Sequence, residues 1–153
     1  MSDTEPGETG LLCDAMLGSL SRLLRMCGYD TAYVGDRGLE EDGDIAAVAR
    51  DEDRVLLTRD RALAARVEPS VCLAAHEVDA QLAALAARGF VLELDSPSRC
   101  GRCNGVLDEV SLDRQTPPYV PDGEMPRWQC TECGQFFWRG SHWDDVAARL
   151  ERL

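Results

Sequence analysis

Two sets of residues in this 153-residue chain have the types and spacing to do chemistry. The first is Cys100-Gly101-Arg102-Cys103 with Cys130-Thr131-Glu132-Cys133-Gly134, a C-x2-C-x26-C-x2-C pattern. Two residues between cysteines let both thiolates of a knuckle reach one tetrahedral ion. Four soft sulfur ligands favour zinc, with iron as the main competitor. Gly101 and Gly134 are placed to relieve the tight turn at each knuckle. The second set is acidic. Asp14 follows Leu11-Leu12-Cys13, Asp60 lies just past Val55-Leu56-Leu57-Thr58, and Asp44 opens Ile45-Ala46-Ala47-Val48-Ala49. A carboxylate past the carboxyl end of a buried strand sits where open α/β sheets bind ligands. Three such acids brought together suit a hard divalent cation, Mg2+ or Mn2+. Aspartates also cap helices and end strands for local reasons. In a chain with 16 aspartates, the reading of Asp44 as a plain N-cap, with Asp42 taking its place at the site, stays open.

The elements that must position these groups are legible in the hydrophobic pattern. Short apolar runs predict strands over 11–13, 31–34, 55–57, 71–73 and 90–94. Between them fall helix-like segments. Leu17, Leu20, Leu23, Leu24 and Cys27 form one stripe closed by Gly28; further helices are expected over 45–50, 61–66 and 78–88. Arg22 and Arg25 are expected to point away from the leucine stripe, as solvated arginines or as contacts to a phosphate backbone. Strands alternating with helices predict a parallel sheet covered on both faces, with Asp14 and Asp60 on one edge. Asp95-Ser96-Pro97-Ser98 marks a junction, after which cysteines, prolines and aromatics replace alanine and leucine. The last segment, 143–153, is amphipathic, with Ser141 and Asp144 in capping-box spacing. The expected organisation is a disordered segment over 1–10, an α/β domain over 11–95 and a zinc ribbon with a short helix over 96–153.

Composition narrows the class. The first residues lack a basic n-region and an apolar h-region, and no run is long enough to span a membrane, so a cytoplasmic protein is expected. The net charge is −12 and there is no lysine, a combination that resembles proteins of salt-loving organisms or of high-GC genomes. In concentrated salt such a charge does not argue against a nucleic-acid partner, because the electrostatic term is screened. Cys13, Cys27 and Cys72 lie in apolar stretches and are expected to be buried free thiols.

Several segments together resemble one family. Asp14-Ala15-Met16-Leu17-Gly18-Ser19-Leu20, Leu24 to Thr31, Asp44-x-x-Ala47 and Leu56-Leu57-Thr58-Arg59-Asp60-Arg61 are followed by the cysteine pairs and by Trp138-Arg139-Gly140-Ser141-His142-Trp143. This order is similar to the PIN-like Mut-seven C-terminal RNase family, in which a nuclease domain precedes a zinc ribbon. The resemblance implies a PIN-like three-layer α/β/α fold and a divalent-metal-dependent ribonuclease. By motif position it carries the metal-binding and catalytic role onto Asp14, Asp44 and Asp60. PIN nucleases often have a fourth acid, for which Asp79 and Asp42 are the candidates.

Hydrolysis at such a site needs no side-chain nucleophile. The two histidines, His76 and His142, are not expected beside the acids. RNA is the expected partner, with Arg22, Arg25, Arg61, Trp138, Arg139 and His142 as candidate contacts, and Arg102, Arg127 and Trp128 of the ribbon as further ones. Association with ribosomes, tRNA or rRNA and the oligomeric state are left open. One rival is a catalytically weak or inactive PIN-like module that binds RNA or ribosomes. A receiver or phosphatase generally wants a lysine near the phosphoryl group, which this chain lacks. A toxin nuclease would not ordinarily carry the ribbon.

Overall fold

The computed structural model describes residues 5–153. Four short parallel strands form the first sheet: β1 (Gly10–Cys13), β2 (Asp30–Tyr33), β3 (Arg54–Thr58) and β4 (Ser70–Cys72), in the order β2-β1-β3-β4. The helices between them are α1 (Gly18–Met26), α2 (Asp42–Asp51) and α3 (Arg61–Arg66), with α4 (Val78–Ala87) after β4. Alternation along each strand sends side chains to two cores. Leu11, Cys13, Val55, Leu57 and Val71 pack against leucines of α1 and α4. Leu12, Ala32 and Leu56 pack against Ile45, Ala46 and Ala49 of α2 and Leu63 of α3. This is a three-layer α/β/α arrangement, as expected. Gly28 and Gly89, at φ +94° and +96°, end α1 and α4 in the left-handed region that glycine adopts freely.

The expected fifth strand is not formed. Residues 90–94 run without ladder pairing. Phe90 N–H closes α4 by donating to Leu85 O, and Val91 N–H donates to the Tyr29 hydroxyl. Phe90 is buried against Tyr29, while Leu92 and Leu94 lean on the first core. The apolar alternation of this stretch therefore reports packing on a core, without a neighbouring strand to pair with. Of the segment expected to be disordered, residues 1–4 lie outside the described residues; Glu5 to Thr9 form a turn in which Glu5 O accepts from Glu8 and Thr9 N–H.

The second sheet is antiparallel, β5 (Leu107–Val110), β6 (Arg127–Cys130) and β7 (Phe136–Trp138), in that order. The long spacer between the cysteine pairs holds β5, most of β6 and the connection between them. That connection wraps around Arg127, which is buried and donates to the carbonyls of Leu112, Pro121 and Gly123. Arg127 is therefore a structural pin of the ribbon, not a nucleic-acid contact. Trp128 is likewise a core residue of the ribbon, covered by the Arg139 guanidinium 5.5 Å above its ring.

The last helix, α5 (Ser141–Glu151), begins two residues earlier than the pattern predicts. Its N-cap is Gly140 and no side chain caps it, so the capping-box reading of Ser141 fails. The cause is steric: a Cβ at Gly140 would lie 2.6 Å from Trp138 Nε1, so glycine holds the cap position. Val146 and Leu150 of α5 pack into the first core beside α1 and α4, and Arg149 pairs with Asp79 at 3.1 Å. The chain thus leaves the α/β layers, builds the ribbon and returns to them.

Candidate functional site

The strand order places β1 and β3 side by side, with β2 and β4 outside them. The chain moves outward from β1 to β2, then crosses back over β1 to β3. The crevice between the carboxyl ends of β1 and β3 is thus the topological switch point, where open α/β sheets bind ligands. Cys13 registers with Leu57, so the next residues, Asp14 and Thr58, face each other across that crevice.

Thr58 ties two of the expected acids together. Its hydroxyl, in a fully buried side chain, donates to Asp14 Oδ2 at 2.6 Å and accepts from Asp60 N–H at 3.0 Å. Asp14 Oδ1 accepts from Ala15 N–H, opening a 3-10 turn over Ala15–Leu17. Asp60 is the N-cap of α3: its Oδ1 accepts from the amides of Ala62 and Leu63, and its Oδ2 carries no hydrogen bond among the described residues. Capping therefore fixes the Asp60 side chain and leaves one oxygen available. Asp44 sits differently from expectation. Helix α2 starts at Asp42 with Glu41 as N-cap, so Asp44 is an exposed first-turn residue and not a cap. Asp42 is half-buried at the first helical position. Asp79, a candidate fourth acid, is engaged with Arg149 on α5.

One histidine does reach this edge. Leu73 N–H donates to Thr58 O, carrying the β3–β4 pairing past Thr58 and folding the following loop onto β3. There His76 Nε2 lies 3.0 Å from Arg59 Nη2; since a guanidinium only donates, Nε2 is the acceptor. Arg59 also donates to Ala74 O and lies 3.8 Å from the sulfur of exposed Met16. Sequence reasoning placed His76 away from the acids and did not single out Arg59. Arg59 stands between Thr58 and Asp60, and that adjacency was the available signal.

The cysteine quartet is preorganised. Its four Sγ atoms lie within 4.8 Å of one another. Cys100–Cys133 and Cys103–Cys130 are separated by 3.7 and 3.5 Å. A tetrahedral zinc with Zn–S near 2.3 Å has edges of about 3.8 Å, so the residues fit zinc. The two knuckles repeat one backbone pattern. Cys100 N–H donates to Gly105 O and Cys130 N–H to Gln135 O, and the fourth residue after each first cysteine is left-handed. That residue is Gly134 in the second knuckle, as expected, but Asn104 in the first, not Gly101. Asparagine tolerates φ > 0 better than most side chains. Gly105 is required for another reason: a Cβ there would lie 2.6 Å from Cys130 Sγ. Burial pushes the Cys100 thiol up to about 12. Burial opposes ionisation at Cys130 too, but amide donors from Cys133 and Glu132 bring it down to about 7. A soft dication in the quartet would replace the need to keep such thiols protonated.

The acids do not form a comparable cluster. Among the described residues, the cysteines are the one group of three or more ligand atoms lying within 4.8 Å of one another. The structure joins Asp14 to Asp60 through Thr58, and Asp44 opens a neighbouring helix.

Arg25 corrects another expectation. It is 2 % exposed and donates to Thr31 O, to Gly101 O of the first knuckle and to Asp36 at 3.3 Å. It fastens the ribbon to α1 and β2 and is unavailable to RNA. Asn104 does similar work: its Oδ1 accepts from Thr31 N–H and its Nδ2 donates to Asp30, pairing with the free edge of β2. Arg22, Arg61, Arg139 and His142 are exposed, and Trp138 is half-buried. Cys13 and Cys27 are buried, and burial pushes each thiol up to about 12; Cys72 is only half-buried, because it ends β4 at the sheet edge.

Among the described residues no helix is long and apolar enough to cross a membrane. No curated protein and no solved structure matches the chain. The family model described as Mut7-C RNAse domain matches residues 9–150, spanning both the acidic crevice and the cysteine knuckles, and the chain belongs to that family.

Proposed function

We propose that the protein is a divalent-metal-dependent ribonuclease whose hydrolytic site is the crevice between β1 and β3. The observation that carries this reading is the Asp14–Thr58–Asp60 unit at the switch point of an RNase-family chain. Asp14, Asp60 and Asp44 are the residues that would hold Mg2+ or Mn2+; their all-oxygen donors suit a hard cation. When bound, such an ion supplies Lewis-acid neutralisation of phosphate charge and activation of water. The protein's own contribution is positional. Thr58 orients Asp14 by donating to it and fixes the Asp60 backbone by accepting from it. The α3 cap turns one Asp60 oxygen inward, leaving the other for a ligand. Arg61, exposed on the first turn of α3, is available to a phosphate, and Arg59 braces the loop carrying His76. Zinc on Cys100, Cys103, Cys130 and Cys133 is structural and would hold together a ribbon that aids substrate binding.

The absence of a compact carboxylate cluster among the described residues favours one alternative, an RNA-binding module that cleaves weakly or not at all. Both are separated by incubating mixed RNA at high salt with Mg2+ or Mn2+ and comparing wild type with Asp60→Asn. An amide caps nearly as well as a carboxylate, so the variant should keep its fold. Outer-shell partners of a metal typically cost 10–100-fold, so loss of a ligand should lower cleavage at least about 100-fold. Equal cleavage by the two proteins would remove Asp60 from the hydrolytic site, and no cleavage with any divalent ion would leave the binding module as the reading.

A further inference from the structure

A cavity of ≈ 370 Å3 lies between α1, the ribbon and the first turn of α5, apart from the acidic crevice. Small-molecule pockets run from about 300 to 1,000 Å3, so it is the size of a minimal ligand site. Phe137, Trp138 and Trp143 line it with aromatic surface, and Met26 closes it from α1. None of its fourteen lining residues is acidic, although the chain carries 28 aspartates and glutamates and a net charge of −12. Its charged lining residues are arginines. Arg99 is spoken for by Asn104 O and Asp30, whereas Arg22 is exposed and makes no hydrogen bond or ion pair among the described residues. His142 lines the same cavity, also without a partner among the described residues. An aromatic interior under a free cation in an otherwise anionic protein suits a ligand with a flat apolar face and a negative charge.

We infer that this cavity is a subsite for one unpaired nucleotide of an RNA strand, its base against Trp138 and Trp143 and its phosphate at Arg22. The inference rests on the ribonuclease reading for its choice of nucleic acid. Stacking on aromatic side chains accepts any base, because every base has a π-face. Arg22 supplies a forked donor set for phosphate oxygens. The first turn of α5 lies at the same wall with no side-chain acceptor on its amides; Asp144, also in that turn, is not among the residues lining the cavity. Gly18 to Arg22 is four residues, about 6 Å along α1, so the subsite opens about one turn from the residues that follow Asp14. A paired base offers no free face to such a cavity, so the subsite selects single strands.

The test uses the full zinc-loaded chain carrying Asp14→Asn and a fluorescein-labelled single-stranded oligoribonucleotide, read by anisotropy and by tryptophan emission. The oligonucleotide should bind and quench the tryptophans. Adding Arg22→Glu should weaken binding at least about tenfold and abolish the quenching, with zinc content and melting temperature unchanged. The same sequence as a duplex should compete poorly. Affinity and quenching that survive Arg22→Glu, equal competition by the duplex, or no RNA binding at all would overturn the subsite. The ribonuclease reading fails separately. If binding follows Arg22 but wild type cleaves with no divalent ion, the subsite stands alone; if wild type cleaves and Arg22→Glu binds normally, only the hydrolytic site stands.

Discussion

The cysteine knuckles and the acidic crevice proposed for the divalent ion are built in opposite ways. Each knuckle is local: six consecutive residues close a backbone loop that aims two sulfurs at one point, and only the joining of two loops requires the fold. The proposed carboxylate site is non-local: Asp14, Asp60 and Asp44 come from three elements, the first two held by local hydrogen bonds and the third exposed on the first turn of α2. Thiols can crowd while protonated, whereas carboxylates at neutral pH repel one another. The sulfur site is therefore compact as the chain folds, and the carboxylates stand apart. Structural ligands are set by spacing in sequence; ligands for chemistry are set by topology.

Removing zinc should break that contrast most severely. Cys130→Ser, or chelation, should lower the melting temperature by at least about 10 °C, since metal binding supplies the folding energy of so small a ribbon. The loss should spread beyond the ribbon, because α5 follows it and packs Val146 and Leu150 into the first core. Amide exchange should accelerate over 97–153 and on the facing side of α1 and α4, while Leu12 and Leu56 stay protected. A variant retaining one zinc and native protection over 107–138 would refute the assignment.

Arg25→Met comes next. It keeps the buried stem but leaves Thr31 O and Gly101 O without a donor, at about 1–3 kcal/mol each. The expected loss, on the order of 2–6 kcal/mol, is measurable by denaturant titration of the zinc-loaded protein. A change below about 0.5 kcal/mol, the ordinary scale of surface substitutions, would mean that the ribbon is not fastened there.

The smallest effect concerns Asp30, where edge strand and knuckle meet. Burial opposes its ionisation, but hydrogen bonds from Asn104 and Arg54 and the charge of Arg99 hold it below its ordinary value of 3.8. A depressed folded value means that its contribution is full above the unfolded value and lost as pH falls through the folded one. Asp30→Asn should therefore cost stability at neutral pH and flatten the acid limb below about pH 4, measured by melts across pH 2–7. Because the side chain is 38 % exposed, the effect is modest. Parallel acid limbs for the two proteins would remove Asp30 from the interface.

Much of this was readable beforehand, for identifiable reasons. The zinc quartet was legible because both knuckles are contiguous. Strands β1 to β4 were legible because Leu11-Leu12-Cys13 and Val55-Leu56-Leu57 are buried on both faces. Residues 90–94 misled because half-burial on a core and pairing in a sheet leave the same alternation. Arg25 misled because a charged residue beside a leucine stripe normally faces water; only tertiary structure brings Gly101 O and Asp36 to it. His76 reaches the crevice through the β4 return, which local pattern cannot indicate. The open alternative that Asp44 is a plain N-cap fails, because α2 extends two residues ahead of it; the aspartate that caps is Asp60, at α3.

The central claim, that Asp14, Asp44 and Asp60 share one divalent-ion site, is tested most directly by Mn2+ titration followed by electron paramagnetic resonance. The zinc-loaded wild type should bind Mn2+ stoichiometrically. Asp14→Asn, Asp44→Asn and Asp60→Asn should each weaken binding at least about tenfold, because an amide is a poorer ligand for a hard cation. Asp113→Asn, on the exposed surface, should bind as wild type does. Unaltered Mn2+ binding in all three crevice variants would contradict the claim.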